Sequence, residues 1–202
     1  SQGITVEQDY VCHIPDALPF EKSAPLLCAG VTLYSPLKRW GAGPGKRVAI
    51  IGMGGLGHVG VQLAAKMGAE VIVISQTMAK REDGLRFGAS DYYALSDPER
   101  LGQLRGTLDL MVSTVSATID LDRLLRLLKP GGVLVDVGLP EHASTLRLSS
   151  LTGGNKVLAG SQIGGIAETQ EMLDFCAEHG VAPQVEIITG EDITAAYDKV
   201  VR

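Results

Sequence analysis

The sequence predicts an α/β fold, a doubly wound six-stranded parallel sheet with helices on both faces. Three observations predict it. Short β-branched runs alternate with amphipathic stretches from Arg47 onward, the rhythm of parallel strands covered by helices. Aromatic residues make up only 4% of the 202, so the core must be built mainly from Val, Ile, Leu and Ala. Gly68 and Gly88 stand where helices should close, because glycine can take the left-handed conformation that ends a helix.

Composition narrows the class. A formal charge of −5 carries no nucleic-acid footprint, and 45% apolar with 20% charged residues is globular rather than disordered. The length suits one large domain or somewhat more. Three scattered cysteines, Cys12, Cys28 and Cys176, make no disulfide framework and point to a reducing, cytoplasmic setting. Residues 48–65 contain no Asp, Glu, Lys or Arg, but five glycines, His58 and Gln62 argue against a membrane span. The opening SQGITVEQDY lacks the basic start and apolar stretch of a signal peptide, and the expectation is a piece of something longer.

Taken in order, alternation predicts a strand over 10–15, and apolar spacing predicts a helix over 24–40, followed by a GAGPG turn at 41–45. The repeating unit then gives strands 47–51, 70–75, 90–94, 108–113, 133–137 and 156–160. Helices fall between them at 56–67, 79–87 and 119–128, with a one-turn candidate at 97–102. Pro130-Gly131-Gly132 reads as the stop of the third helix. A helix over 168–178 follows, its apolar stripe of Met172, Phe175 and Cys176 marking core packing. A strand over 184–188 and a helix over 193–201 lie outside the repeat.

Gly52-Met53-Gly54-Gly55-Leu56-Gly57 fits GxGxxG between the first strand and its helix, the dinucleotide-binding context of a Rossmann domain. Gly52 permits the tight turn, Gly54 and Gly55 let backbone approach a pyrophosphate, and Gly57 lets helix and strand pack closely. The free amides at the start of the helix, around Leu56, face the anion. At the end of the second strand, where an acidic residue would take the ribose hydroxyls, stand Ser75, Gln76 and Thr77, with Lys80 and Arg81 just beyond. Hydroxyls and cations there suit a 2′-phosphate, so the cofactor predicted is NADP.

The block PLLCAGVTLYSPL at 25–37, the turn GMGGLGH at 52–58 and ETQEMLDFC at 168–176 together resemble the zinc-dependent medium-chain alcohol dehydrogenases, most of all their cinnamyl alcohol dehydrogenase branch. The resemblance implies that Cys28 is a ligand of a catalytic zinc and that Thr32, one helical turn later, lies beside the nicotinamide. It implies coenzyme contacts from Thr114 and Val115, from Gly138, and from Ser161, Gln162 and Ile163, residues that the fold places at strand carboxyl ends. His58 belongs to the family's turn and is not read as a base. Cys12 and His13 face opposite ways on an alternating segment and make no metal site with Cys28.

A catalytic zinc needs three protein ligands, and of that set the sequence shows Cys28 alone. The resemblance therefore implies the cofactor domain of such an enzyme with short flanks of its GroES-like catalytic domain. Residues 1–40 form a flank and hinge helix, 41–180 the NADP-binding domain, and 181–202 a return segment. The implied reaction interconverts primary alcohols and aldehydes by zinc-assisted hydride transfer, with a small-molecule substrate and a homodimer formed through the edge strand at 156–160. Two alternatives stay open, a dinucleotide-binding module without turnover and a zinc-free quinone or enoyl reductase.

Overall fold

Six apolar runs lie side by side in the computed structural model, which describes residues 3–201. They are β1 (Arg47–Ile51), β2 (Glu70–Ser75), β3 (Asp91–Ala94), β4 (Leu108–Ser113), β5 (Leu128–Asp136) and β6 (Val157–Gly160). All neighbours are parallel and the order is β3-β2-β1-β4-β5-β6. Central strands are covered on both faces, which is why they read as unbroken apolar runs: Val48, Ala49, Ile50 and Ile51 are all fully buried. Each such large side chain contributes about 1.5–3 kcal/mol on burial.

The side-chain alternation of the strands sorts the core into two layers. Val48, Ile50, Val73, Val112 and Val135 share one layer with Leu33, Val59, Leu63 and Met172, which come from α2 (Ala29–Arg39), α3 (Gly57–Lys66) and α8 (Ile166–His179). Ile51, Ile74, Met111 and Leu134 share the other with Leu101 of α5 (Pro98–Gly102) and Leu124 of α6 (Leu121–Leu125). Asp97 and Asp120 cap these two short helices by accepting from the amides of Arg100 and Arg123. The remaining helices are α1 (Phe20–Ser23), α4 (Arg81–Arg86), α7 (Ser149–Thr152) and α9 (Ile193–Val201).

One carboxylate ties three strands at the start of the sheet. Asp109 of β4 accepts from the Arg47 amide at 2.9 Å and from the Lys129 ammonium at 2.8 Å. Burial works against its charge, but these two donors hold its carboxyl below the usual range. On the helical side, Tyr34 and Lys38 of α2 both donate to Glu171 of α8.

The structure corrects several expectations. Residues 10–15 and 184–188 form no strand: neither finds a sheet edge to pair with, and Gln8–Tyr10 is instead a short 3-10 turn. The helix predicted over 24–40 breaks at Cys28, where a 3-10 turn (Ala24–Leu27) carrying Pro25 in its first turn gives way to α2. Pro130-Gly131-Gly132 does not end a helix but lies inside β5, where the register to β4 shifts between Leu108 and Leu110. The bulge lets a strand carry a proline and positive-φ Gly131. No helix among the described residues is long and apolar enough to cross a membrane.

Candidate functional site

The strand order reverses between β1 and β4, and the two chains leave the sheet there in opposite directions. That divergence opens a crevice at the strand carboxyl ends. Thr114 holds its floor, donating both its amide and its hydroxyl to the Ile51 carbonyl at 2.9 Å. Beside it, Gly52 turns the chain at φ +95°, with its amide donating to the Ile74 carbonyl at 2.8 Å.

The glycine turn is tight at its ends and open in its middle. A Cβ on Gly57 would stand 1.9 Å from the Gly52 carbonyl oxygen, so α3 can approach β1 only through glycine. Gly54 and Gly55, in contrast, are exposed and have no atom within 4 Å of a would-be Cβ. Behind this gap α3 begins, its His58 amide donating to the Gly54 carbonyl at 3.2 Å and its Gly60 amide to the Leu56 carbonyl at 3.0 Å, so the positive end of the helix faces the open turn. The shape fits a pyrophosphate.

At one end of the crevice Ser75, half-buried, closes β2, and Gln76 and Thr77 are exposed. Lys80 folds back so that its ammonium donates to the Met53 carbonyl at 3.0 Å, while Arg81 points to solvent at the start of α4. A cavity of about 260 Å³ lies here between Gly54, Gly55, His58 and Lys80, and the one carboxylate in its wall, Asp83, is paired with Arg86 at 2.7 Å. His58 is engaged at both ring nitrogens. The Gln184 amide donates to Nε2 at 3.0 Å, which leaves the proton on Nδ1, 3.2 Å from the Gly54 carbonyl.

At the other end, the residues following β4, β5 and β6 gather. A Cβ on Gly138 would be 2.1 Å from the Val115 carbonyl oxygen, so the two chain exits touch backbone to backbone. The Ser161 amide donates to the Asp136 carbonyl at 3.1 Å, and Gln162 and Ile163 follow it into solvent. The sequence reading passed over Asp136. This half-buried residue lines a cavity of about 460 Å³ with Val115, Ile119 and Leu158, and burial pushes its carboxyl up although the Gly138 amide donates to it at 3.4 Å. A charge closing an apolar strand was the signal.

Cys28 and Thr32 are one turn apart, the Thr32 amide donating to the Cys28 carbonyl at 3.1 Å. The thiol is exposed, whereas Thr32 is only 6% exposed. Pro36 sits inside α2 and has no N–H to give the Thr32 carbonyl, so the regular helical bond to that carbonyl is missing one turn beyond Thr32. That proline was legible in the sequence, four positions along. The other cysteines stand apart: Cys12 contacts the Ile166 carbonyl, and Cys176 is fully buried beside Met172, its thiol pushed up to about 12 by burial. No three His, Cys, Asp or Glu among the described residues cluster closely enough to hold a metal ion. These residues fit a dinucleotide, and toward a metal they offer the Cys28 thiol alone.

Comparison with known proteins gives a consistent result. The family model described as zinc-binding dehydrogenase matches residues 55–178. An NADP-dependent alcohol dehydrogenase C of Mycolicibacterium smegmatis is 58% identical over 200 residues, covering 99% of this chain and 57% of the relative. A probable formaldehyde dehydrogenase of Bacillus subtilis is 50% identical over the whole chain and 58% of its own length. Among solved structures, a cinnamyl alcohol dehydrogenase of Sorghum bicolor superposes with a TM-score of 0.94 at 39% identity, over 97% of this chain and 56% of that one. The Helicobacter pylori enzyme complexed with NADP(H) superposes with a TM-score of 0.87 at 42% identity, over 98% and 56%. The chain thus spans a little more than half the length of the proteins it matches.

Proposed function

This chain belongs to the zinc-binding dehydrogenase family, and from that premise we propose that it is the coenzyme-binding part of an NADP-dependent alcohol dehydrogenase interconverting primary alcohols and aldehydes. The observation that carries the reading is the open glycine turn with Lys80 folded against it and no carboxylate at the end of β2. The relatives named for NADP dependence and the neighbour solved with NADP(H) support it.

In this reading Gly52 turns the chain so that the amides from Gly54 to Gly57 hold the pyrophosphate, and Ser75, Gln76, Thr77 and Lys80 receive the 2′-phosphate. Thr32, Thr114, Val115, Gly138, Ser161, Gln162 and Ile163 orient the ring at the far end of the crevice. When bound, the coenzyme gives or takes the hydride. Cys28, at the start of α2, would be one ligand of a zinc together with residues outside the described ones, and such a metal would polarise the alcohol oxygen. Residues 1–40 and 181–202 serve the catalytic part, with 41–180 as the coenzyme domain. We assign the protein to the cytoplasm, as a homodimer paired through β6.

The test is a pair of titrations. Lys80→Gln is expected to weaken NADPH binding about tenfold, the worth of one charge-assisted hydrogen bond, and to leave NADH binding unchanged. Equal loss for both coenzymes, or none, would refute the assignment of the 2′-phosphate.

A further inference from the structure

A third, smaller cavity lies between α5 and α6, beside the turns that lead into β4 and β5. α5 and α6 leave a space of about 160 Å³ between them, walled by Arg105, Arg123 and Arg126 over the apolar side chains of Leu101 and Leu127. These residues precede the first residues of β4 and β5, and the Gly106 amide donates to the Arg126 carbonyl at 3.1 Å. The coenzyme crevice is at the other ends of the same strands.

The charge in this cavity is unbalanced. None of its lining residues is acidic, and no ion pair among the described residues uses any of the three arginines. Arg123 spends one nitrogen on the Leu95 carbonyl at 3.1 Å, while its Nη2 is buried and has no partner. Asp122, four residues before Arg126, is turned to the Ser150 hydroxyl and the Arg147 amide. Lys156 is close enough for burial, Arg105 and Arg126 together to pull its ammonium below the ordinary value. Helix-end dipoles favour cations near the ends of α5 and α6, but they do not supply an acceptor for a buried guanidinium N–H.

We propose that this cavity binds a compact oxyanion of the phosphate type, either free or as the phosphoryl group of a small phosphomonoester. Guanidinium forks match such an anion two bonds at a time, and Leu101 and Leu127 close the floor beneath them. The volume is below that of an ordinary small-molecule pocket, which excludes a whole nucleotide and admits one phosphoryl group.

Calorimetric titration of the full-length protein with inorganic phosphate, against chloride at equal ionic strength, tests the proposal. Saturable binding of phosphate is expected, weakened at least tenfold in Arg105→Gln/Arg126→Gln, whose side chains are exposed and whose melting temperature is compared with the parent's, and also in Arg123→Lys. Saturating NADPH, which fills the proposed 2′-phosphate and pyrophosphate sites, should leave it unchanged. A parallel titration with glycerol phosphate separates the sources: tighter binding assigns the site to phosphomonoesters, equal or weaker binding to the free ion. Heats no larger than those of chloride would overturn the proposal, as would phosphate binding that survives the arginine variants or disappears under saturating NADPH.

Discussion

Asp136 shows how much a single position can hide from a sequence reading. A parallel strand ends in an acid whose side chain is half-buried, and burial raises its carboxyl above the ordinary value. The folded chain therefore holds that proton more tightly than the unfolded chain does. The stability this confers is complete below the ordinary carboxylate range and is lost as pH rises through the raised value. Asp136→Asn is expected to melt higher than the parent at pH 7, with the difference closing by about pH 4. A difference independent of pH would mean that packing, not ionisation, sets the effect. Other residues were plain from the start. Gly52, Gly57 and Lys80 announce their roles because the demands on them, a positive φ, a close approach and a charge at a strand end, are local. The burial of Asp136 depends on neighbours distant in sequence, such as Val115 and Leu158.

Among the elements, α2 and α8 pack side chain against backbone with little slack. Met172 is fully buried, and a Cβ on Gly30 would stand 2.7 Å from its sulfur. Met172→Ala should cost about 2–5 kcal/mol by leaving a cavity there, read as a lower denaturation midpoint with unchanged slope. A loss well under 1 kcal/mol would show that the helices can close the gap. The same scale explains what could be read in advance. All six strands of the sheet were placed within a few residues because strands buried on both faces are apolar throughout and separated by glycine-stopped helices. Residues 130–132 were misread, since proline and glycine in sequence do not distinguish a helix stop from a bulged strand. Residues 10–15 and 184–188 alternate as strands do, but alternation becomes a strand only where an edge is available to pair.

At the scale of the whole molecule, apolar exposure is concentrated in the flanks. Ile4, Val6, Tyr10 and Phe20 on one side of the sequence, and Ile187, Tyr197 and Val200 on the other, are all well exposed. Between them the central strands β1 and β4 are buried, and exposed apolar residues are fewer, among them Leu139, Leu148 and, on the edge strand β6, Val157. Surfaces of this kind seek a partner. The 202-residue chain is expected to bind more of a hydrophobic dye per molecule than the full-length protein does, and to sediment with a concentration-dependent mass. Equal dye binding by the two would show that the flanks need no cover. His58 joins this outer layer to the interior, because its ring is fastened on one side to the Gly54 carbonyl and on the other to the Gln184 amide. One imidazole thus serves as a rivet through two parts of the chain 126 residues apart, and a load placed on the glycine loop is transmitted directly to the tail.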